Sequence, residues 1–129
     1  MNPYYHAVSS ARKFGGKPED YLAIHEWFDE SKSHLAYFRH RAMRYHSAGI
    51  YECRERFGTT IVNSANRAVP VRQIGEQHVT EDCGWIPSVC DWLLHIEPQP
   101  WMRKVAVKSR QLVDGADQQS ASLAVDATK

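Results

Sequence analysis

The chain lacks most of the features from which a function is usually read. Its three cysteines, Cys53, Cys83 and Cys90, are odd in number and form no C-x-x-C pair. That excludes a disulfide framework and a cysteine-type zinc knuckle as organising devices. No apolar run approaches the roughly 18 residues of a membrane span. The opening Met1-Asn-Pro-Tyr-Tyr-His6 has no basic segment leading into an apolar one, so no signal peptide is expected and the default compartment is cytoplasmic. Charge of one sign is missing too. A formal net charge of +1 argues against a basic nucleic-acid surface and against an acidic mimic of one. There is no G-x-S-x-G elbow, no P-loop and no G-x-G-x-x-G fingerprint, which removes the usual nucleophile and nucleotide signatures.

What is present is a globular composition with one oddity. The 129 residues are 43% hydrophobic and 11% aromatic, enough for one domain with a real core. Seven histidines stand out in a chain of this length. The pattern predicts an α-rich α+β domain over residues 1–103. A flexible tail over 104–129 is expected, because that stretch turns to Ala, Ser, Gln and Asp and has no aromatic residue.

A first helix is expected from Tyr4 to Phe14, stopped by Gly15-Gly16. Pro18 suits the start of a second, in which Tyr21, Ile24, His25 and Phe28 follow the i, i+3, i+4, i+7 spacing of a buried face. Leu35, Phe38, Ala42, Tyr45, Gly49, Cys53 and Phe57 form one stripe, which predicts a long central helix over residues 31–57. On that helix His46 falls near the buried edge and His40 nearly opposite. Thr59–Val62 and Arg67–Arg72, joined by Asn63-Ser-Ala-Asn66, predict a single β-hairpin with Pro70 on an edge strand. Gly84 ends a short helix carrying His78, Glu81 and Asp82. Ser88 with Asp91 reads as a capping box opening another, in which Trp92, Leu93 and Ile96 are expected to pack.

The spacing with most chemical content occurs twice, as His25-x-x-x-Asp29 and His78-x-x-x-Asp82. Residues four apart stack on a helix face, so each pair can hold a metal, or the Asp can orient a His that does. Two such helices facing each other present two imidazoles and two carboxylates, a set suited to Zn²⁺, Mn²⁺ or Fe²⁺. The candidate ligands are therefore His25, Asp29, His46, His78 and Asp82. Glu81 is the candidate general base, and Arg39 and Arg72 are candidates to hold a phosphate. The plainer readings stand beside these. A histidine on an apolar face also fits a hydrogen-bonded core residue, Asp91 fits a helix cap, and Arg39, Arg41 and Arg44 fit a solvated face.

Arg39-His40-Arg41-Ala42, Phe57-Gly58-Thr59-Thr60-Ile61, Val69-Pro70-Val71-Arg72 and the run Glu76-Gln77-His78-Val79-x-Glu81-Asp82-x-Gly84-x-Ile86-Pro87-x-x-x-Asp91-Trp92 together resemble a small family of uncharacterised bacterial and phage proteins. The resemblance covers roughly residues 2–103. It implies one compact domain and a bacterial or phage source, and it transfers no site. Two function classes follow. One is a metal-dependent hydrolase of phosphoesters, with a metal-activated water as nucleophile. The other is a non-catalytic accessory or binding protein with a protein partner, such as a phage protein acting on a host component, its histidines being structural. No membrane partner is expected.

Overall fold

A computed structural model describes residues 1–103; the expected tail, 104–129, lies outside them. The architecture is α-rich α+β. In chain order, α1 (Pro3–Phe14) is followed by a 3-10 turn at Pro18–Asp20 and by α2 (Leu22–Phe28). Further 3-10 turns at Glu30–Ser33 and Tyr37–His40 lead to α3 (Arg41–Arg44) and α4 (Ser47–Phe57). The hairpin β1 (Thr60–Val62) and β2 (Ala68–Pro70) runs directly into α5 (Val71–Cys83), and α6 (Val89–Leu93) follows. Met1–His95 forms one compact unit; the segment from Ile96 is separate and contains a 3-10 turn at Pro100–Arg103.

Local chemistry accounts for most of the boundaries. Asn2 caps α1 by accepting the Tyr4 N–H at 2.8 Å, and Pro3 fills the first position, where no N–H is needed. Gly84 closes α5 at φ 83°, the left-handed region that glycine enters without strain. Ser88 and Asp91 form the expected capping box at α6, with Ser88 N–H donating to Asp91 at 2.8 Å and Asp91 N–H to Ser88 at 3.2 Å. The hairpin is antiparallel, Thr60 opposite Pro70 and Val62 opposite Ala68.

The single helix expected over 31–57 is not continuous. Tyr37 sits at φ 58°, Tyr45 leaves helical geometry at ψ 65°, and His46 is extended at φ −161°. The break is built in. His46 accepts the Gly49 N–H at 2.9 Å and so caps α4, and a Cβ at Gly49 would lie 1.9 Å from the Arg44 carbonyl oxygen. The Tyr45 carbonyl is in turn taken by the Trp92 indole N–H at 2.9 Å. The apolar stripe therefore dissolves where the helix does: Phe38 is 64% exposed and Ala42 is exposed, while Tyr45, Gly49 and Cys53 are buried. His40, expected to face away, is buried instead. Leu93 and Ile96, expected to pack, are exposed.

The core gathers around α5, which packs against α1, α2 and α4. Ile74 and Val79 of α5 meet Ala7, Phe14, Tyr21, Ile24, Phe28, Ile50 and Cys53 there. The four residues expected on the buried face of the second helix, Tyr21, Ile24, His25 and Phe28, are all buried. Polar side chains share this interior. His6, Ser10, His25, Gln77 and His78 are as buried as the aliphatic residues, so each must find partners inside the protein.

Candidate metal centre

His78 lies at the middle of the polar cluster. Its ring is held between His6 at 3.9 Å and Phe28 at 4.7 Å, centroid to centroid. Nδ1 meets Nδ1 of His25 at 2.9 Å. Nε2 lies 3.5 Å from Asp29 Oδ1, 3.9 Å from Asp82 Oδ2 and 2.7 Å from the Tyr45 hydroxyl. That hydroxyl also donates to Asp29 Oδ1 and is 3.0 Å from Asp82 Oδ2.

The remaining contacts close a loop of side chains. His6 Nε2 lies 3.2 Å from Asp82 Oδ2, and His6 Nδ1 lies 2.7 Å from Glu81 Oε1. Gln77 Nε2 donates to both Glu81 oxygens at 3.2 Å, Gln77 Oε1 accepts from Ser10 at 2.7 Å, and Ser10 Oγ is 2.8 Å from His25 Nε2. At the edges, the Met1 amino group lies 3.1 Å from Asp82 Oδ1, and His40 Nε2 is 3.3 Å from Asp29 Oδ1. Asp29 Oδ2 is buried with no hydrogen-bond partner.

The electrostatics favour the charged form of the acids and the neutral form of the His25 and His78 rings. Burial works against ionisation of Asp29, but its contacts with His78 and Tyr45 outweigh it and hold the carboxyl well below the ordinary range. Burial is likewise overcome at Asp82, chiefly by His6, and at Glu81 by Ser9, His6 and Gln77; both are lowered. Burial pushes His25 down to about 2, helped by its histidine neighbours, and lowers His78. Tyr45 is pushed up by burial and then by Asp29, so its phenol keeps its hydrogen.

Two sets of donors come within 4.8 Å of one another: Asp29, His78 and Asp82; and His6, His25 and His78. They do not fit an ion equally. Ligand atoms about 2.1 Å from one ion stand roughly 3 to 4.2 Å apart, and the 3.5 and 3.9 Å separations from His78 Nε2 fall in that range. In the all-histidine set the rings conflict. His25 and His78 meet edge to edge, whereas His6 lies over the face of His78 with both nitrogens turned to carboxylates. A metal bonds in the plane of each imidazole, so His6 is badly aimed to join them.

The structure thus brings His25, Asp29, His78, Asp82 and Glu81 together. It separates His46, whose Nδ1 accepts from Gly49 and whose Nε2 is 3.2 Å from the Ala42 carbonyl, so that both nitrogens serve the backbone. Arg39 is exposed on the Tyr37–His40 turn. Arg72 is exposed and pairs with Glu76 at 2.6 Å; it lines a surface groove with Lys13, Gln77, Thr80 and Glu81. Glu81 therefore faces both the cluster and the groove. Sequence reasoning missed His6, Ser10 and Tyr45. For the first two a signal existed: His6, Ala7, Ser10 and Phe14 share the buried face of α1, so two polar residues interrupt an apolar stripe. Tyr45 gave none, because an aromatic residue on an apolar stripe reads as core.

Comparison with known proteins gives a family and no activity. Residues 1–102 match the family described as a domain of unknown function, DUF6915, and the chain belongs to it. No curated protein and no solved structure matches.

Proposed function

We propose that this DUF6915 domain is a metal-binding protein that holds one divalent ion between Asp29, His78 and Asp82. One observation carries the reading: Asp29 Oδ1, Asp82 Oδ2 and His78 Nε2 converge on the Tyr45 oxygen, and that phenol has a single hydrogen to share among them. Two ionised carboxylates are acceptors only. Two buried carboxylates and an imidazole nitrogen gathered on one point are a donor set that a cation satisfies, although His6, His40 and the Met1 amino group also face the carboxylates. One nitrogen with several oxygens suits Zn²⁺, Mn²⁺ or Fe²⁺; the Tyr45 oxygen, 2.7 Å from His78 Nε2 and 3.0 Å from Asp82 Oδ2, occupies the point between the donors and has to swing aside for the ion.

The catalytic form of this reading is phosphoester hydrolysis. The ion supplies Lewis acidity and lowers the pKa of water. Glu81 stands as the base at the groove, where Lys13 is the cation left to meet a phosphate while Arg72 is paired with Glu76. A second reading, a non-catalytic binding protein acting on a protein partner, is favoured by burial: Asp29 and Asp82 side chains are only 5% and 4% exposed, and His78 is fully covered.

Elemental analysis of protein purified without chelator, followed by Zn²⁺ and Mn²⁺ titration, tests the ion. Stoichiometric binding in wild type that is lost in Asp29→Asn supports it; equal and weak binding in both refutes it. A phosphoesterase screen of the loaded protein against His78→Ala then separates the two readings. Metal binding without turnover leaves the binding-protein form.

A further inference from the structure

Hydrogen-bond accounting outside the three donors decides how His78 presents itself to them. It begins at Gln77, whose amide orientation follows from its neighbours. The nitrogen end faces the His6 carbonyl at 3.0 Å and both Glu81 oxygens at 3.2 Å. Reversing the amide would set an oxygen against three acceptor oxygens, so the nitrogen stays there and Oε1 faces Ser10.

The consequences pass along the chain of contacts. Ser10 has one hydroxyl hydrogen, and two acceptors compete for it, Oε1 of Gln77 at 2.7 Å and the His6 carbonyl at 3.2 Å; the shorter contact takes it, and either choice leaves none for His25. The Ser10 oxygen is then an acceptor toward His25 Nε2 at 2.8 Å, so the hydrogen of that neutral ring sits on Nε2. His25 Nδ1 is left as a lone pair, 2.9 Å from His78 Nδ1. Two lone pairs do not face each other at that distance, so the hydrogen of His78 sits on Nδ1. Its Nε2 is then an acceptor on the side where Asp29, Asp82 and Tyr45 lie, and it shares the one Tyr45 hydrogen with the two carboxylates.

We propose that Gln77, Ser10 and His25 are positioning residues that fix His78 in the tautomer with its hydrogen on Nδ1, and so aim the Nε2 lone pair at Asp29 and Asp82. The purpose of the arrangement rests on the ion-binding reading above; the tautomer itself does not. It assigns His25, which sequence spacing marks as a ligand, to the task of holding one. Orienting partners of this kind typically change metal affinity by about 10- to 100-fold.

The test is nitrogen NMR of the metal-free protein with ¹⁵N-labelled histidine near neutral pH, where the two ring nitrogens report which one carries hydrogen. Wild type is expected to show His78 protonated on Nδ1. Ser10→Ala, which removes the acceptor of the His25 hydrogen, is expected to lose that preference and to bind Zn²⁺ about 10- to 100-fold more weakly. Ser9→Ala, on the same helix but bonded to Glu81, is expected to change neither. A wild-type His78 with its hydrogen on Nε2 overturns the proposal even if Ser10→Ala fails to fold. So does a tautomer that Ser10→Ala leaves unmoved. If wild type shows the Nδ1 hydrogen yet binds no metal, the ion reading falls and the relay stands. Metal binding with the hydrogen on Nε2 has the opposite meaning: the ion stands and the relay falls.

Discussion

His25–Asp29 and His78–Asp82 have the same spacing, and the fold uses them differently. The second pair lies inside α5, so its side chains stay on one face and point to one place, with His78 Nε2 3.9 Å from Asp82. The first pair spans a helix end. α2 stops at Phe28, and Asp29 is already out of helical geometry at φ −99°, ψ 5°. Released from the helix face, Asp29 turns to Tyr45, His40 and the histidine of the other pair. His25 is left to Ser10 and His78. Spacing four apart predicts contact only while the helix runs through both residues.

The asymmetry is sharpest in stability. His78→Ala removes a ring held between His6 and Phe28, takes one partner from Tyr45 and leaves His25 Nδ1 with none, for an expected loss of about 3–5 kcal/mol. His25→Ala should cost less, about 2–3 kcal/mol. Urea unfolding of both variants checks this, and equal losses would break the comparison. Metal affinity comes next. Asp29→Asn and Asp82→Asn are expected to weaken Zn²⁺ binding by at least about 100-fold, and His25→Gln, acting through His78, by about 10- to 100-fold. Isothermal titration orders them; His25→Gln falling furthest would restore it as a ligand.

Acid should act on both pairs. The fold keeps His25 neutral down to about 2 and also lowers His78, so below about 6.5 the unfolded chain binds protons that the folded one refuses. That stability is present above about 6.5 and is lost as pH falls, by at most about 1.4 kcal/mol per pH unit per ring. Asp29 and Asp82, held low, add stability present above about 3.9 and lost below it. Unfolding midpoints of metal-free protein from pH 7 to 4 should therefore decline, and less steeply in His25→Gln. The smallest effect is at the α6 cap: Ser88→Ala should cost about 1 kcal/mol in thermal unfolding and leave Zn²⁺ affinity unchanged.

Where a feature depended on neighbours in sequence, it was legible. The stop at Gly84, the capping box at Ser88 and Asp91, the hairpin and the buried face of Tyr21, Ile24, His25 and Phe28 all follow from local rules. The break at Tyr45–His46 was not legible, because the apolar stripe runs through it without interruption. It rests on the His46 cap, the Arg44 carbonyl against Gly49 and the Trp92 indole 47 residues away. The same break accounts for His46, which looked like a ligand and caps a helix.

The sequence by itself determined the class of the fold, most helix ends, and the residue types from which a site can be made, because propensity, capping and periodicity act over a few residues. Only the tertiary structure decided which of those residues meet. His6 from α1, Asp29 from beyond α2, Tyr45 from a helix break and His78 with Asp82 from α5 converge because the core must cover α5 on several sides. Buried there away from bulk solvent, their polar atoms are turned toward one another.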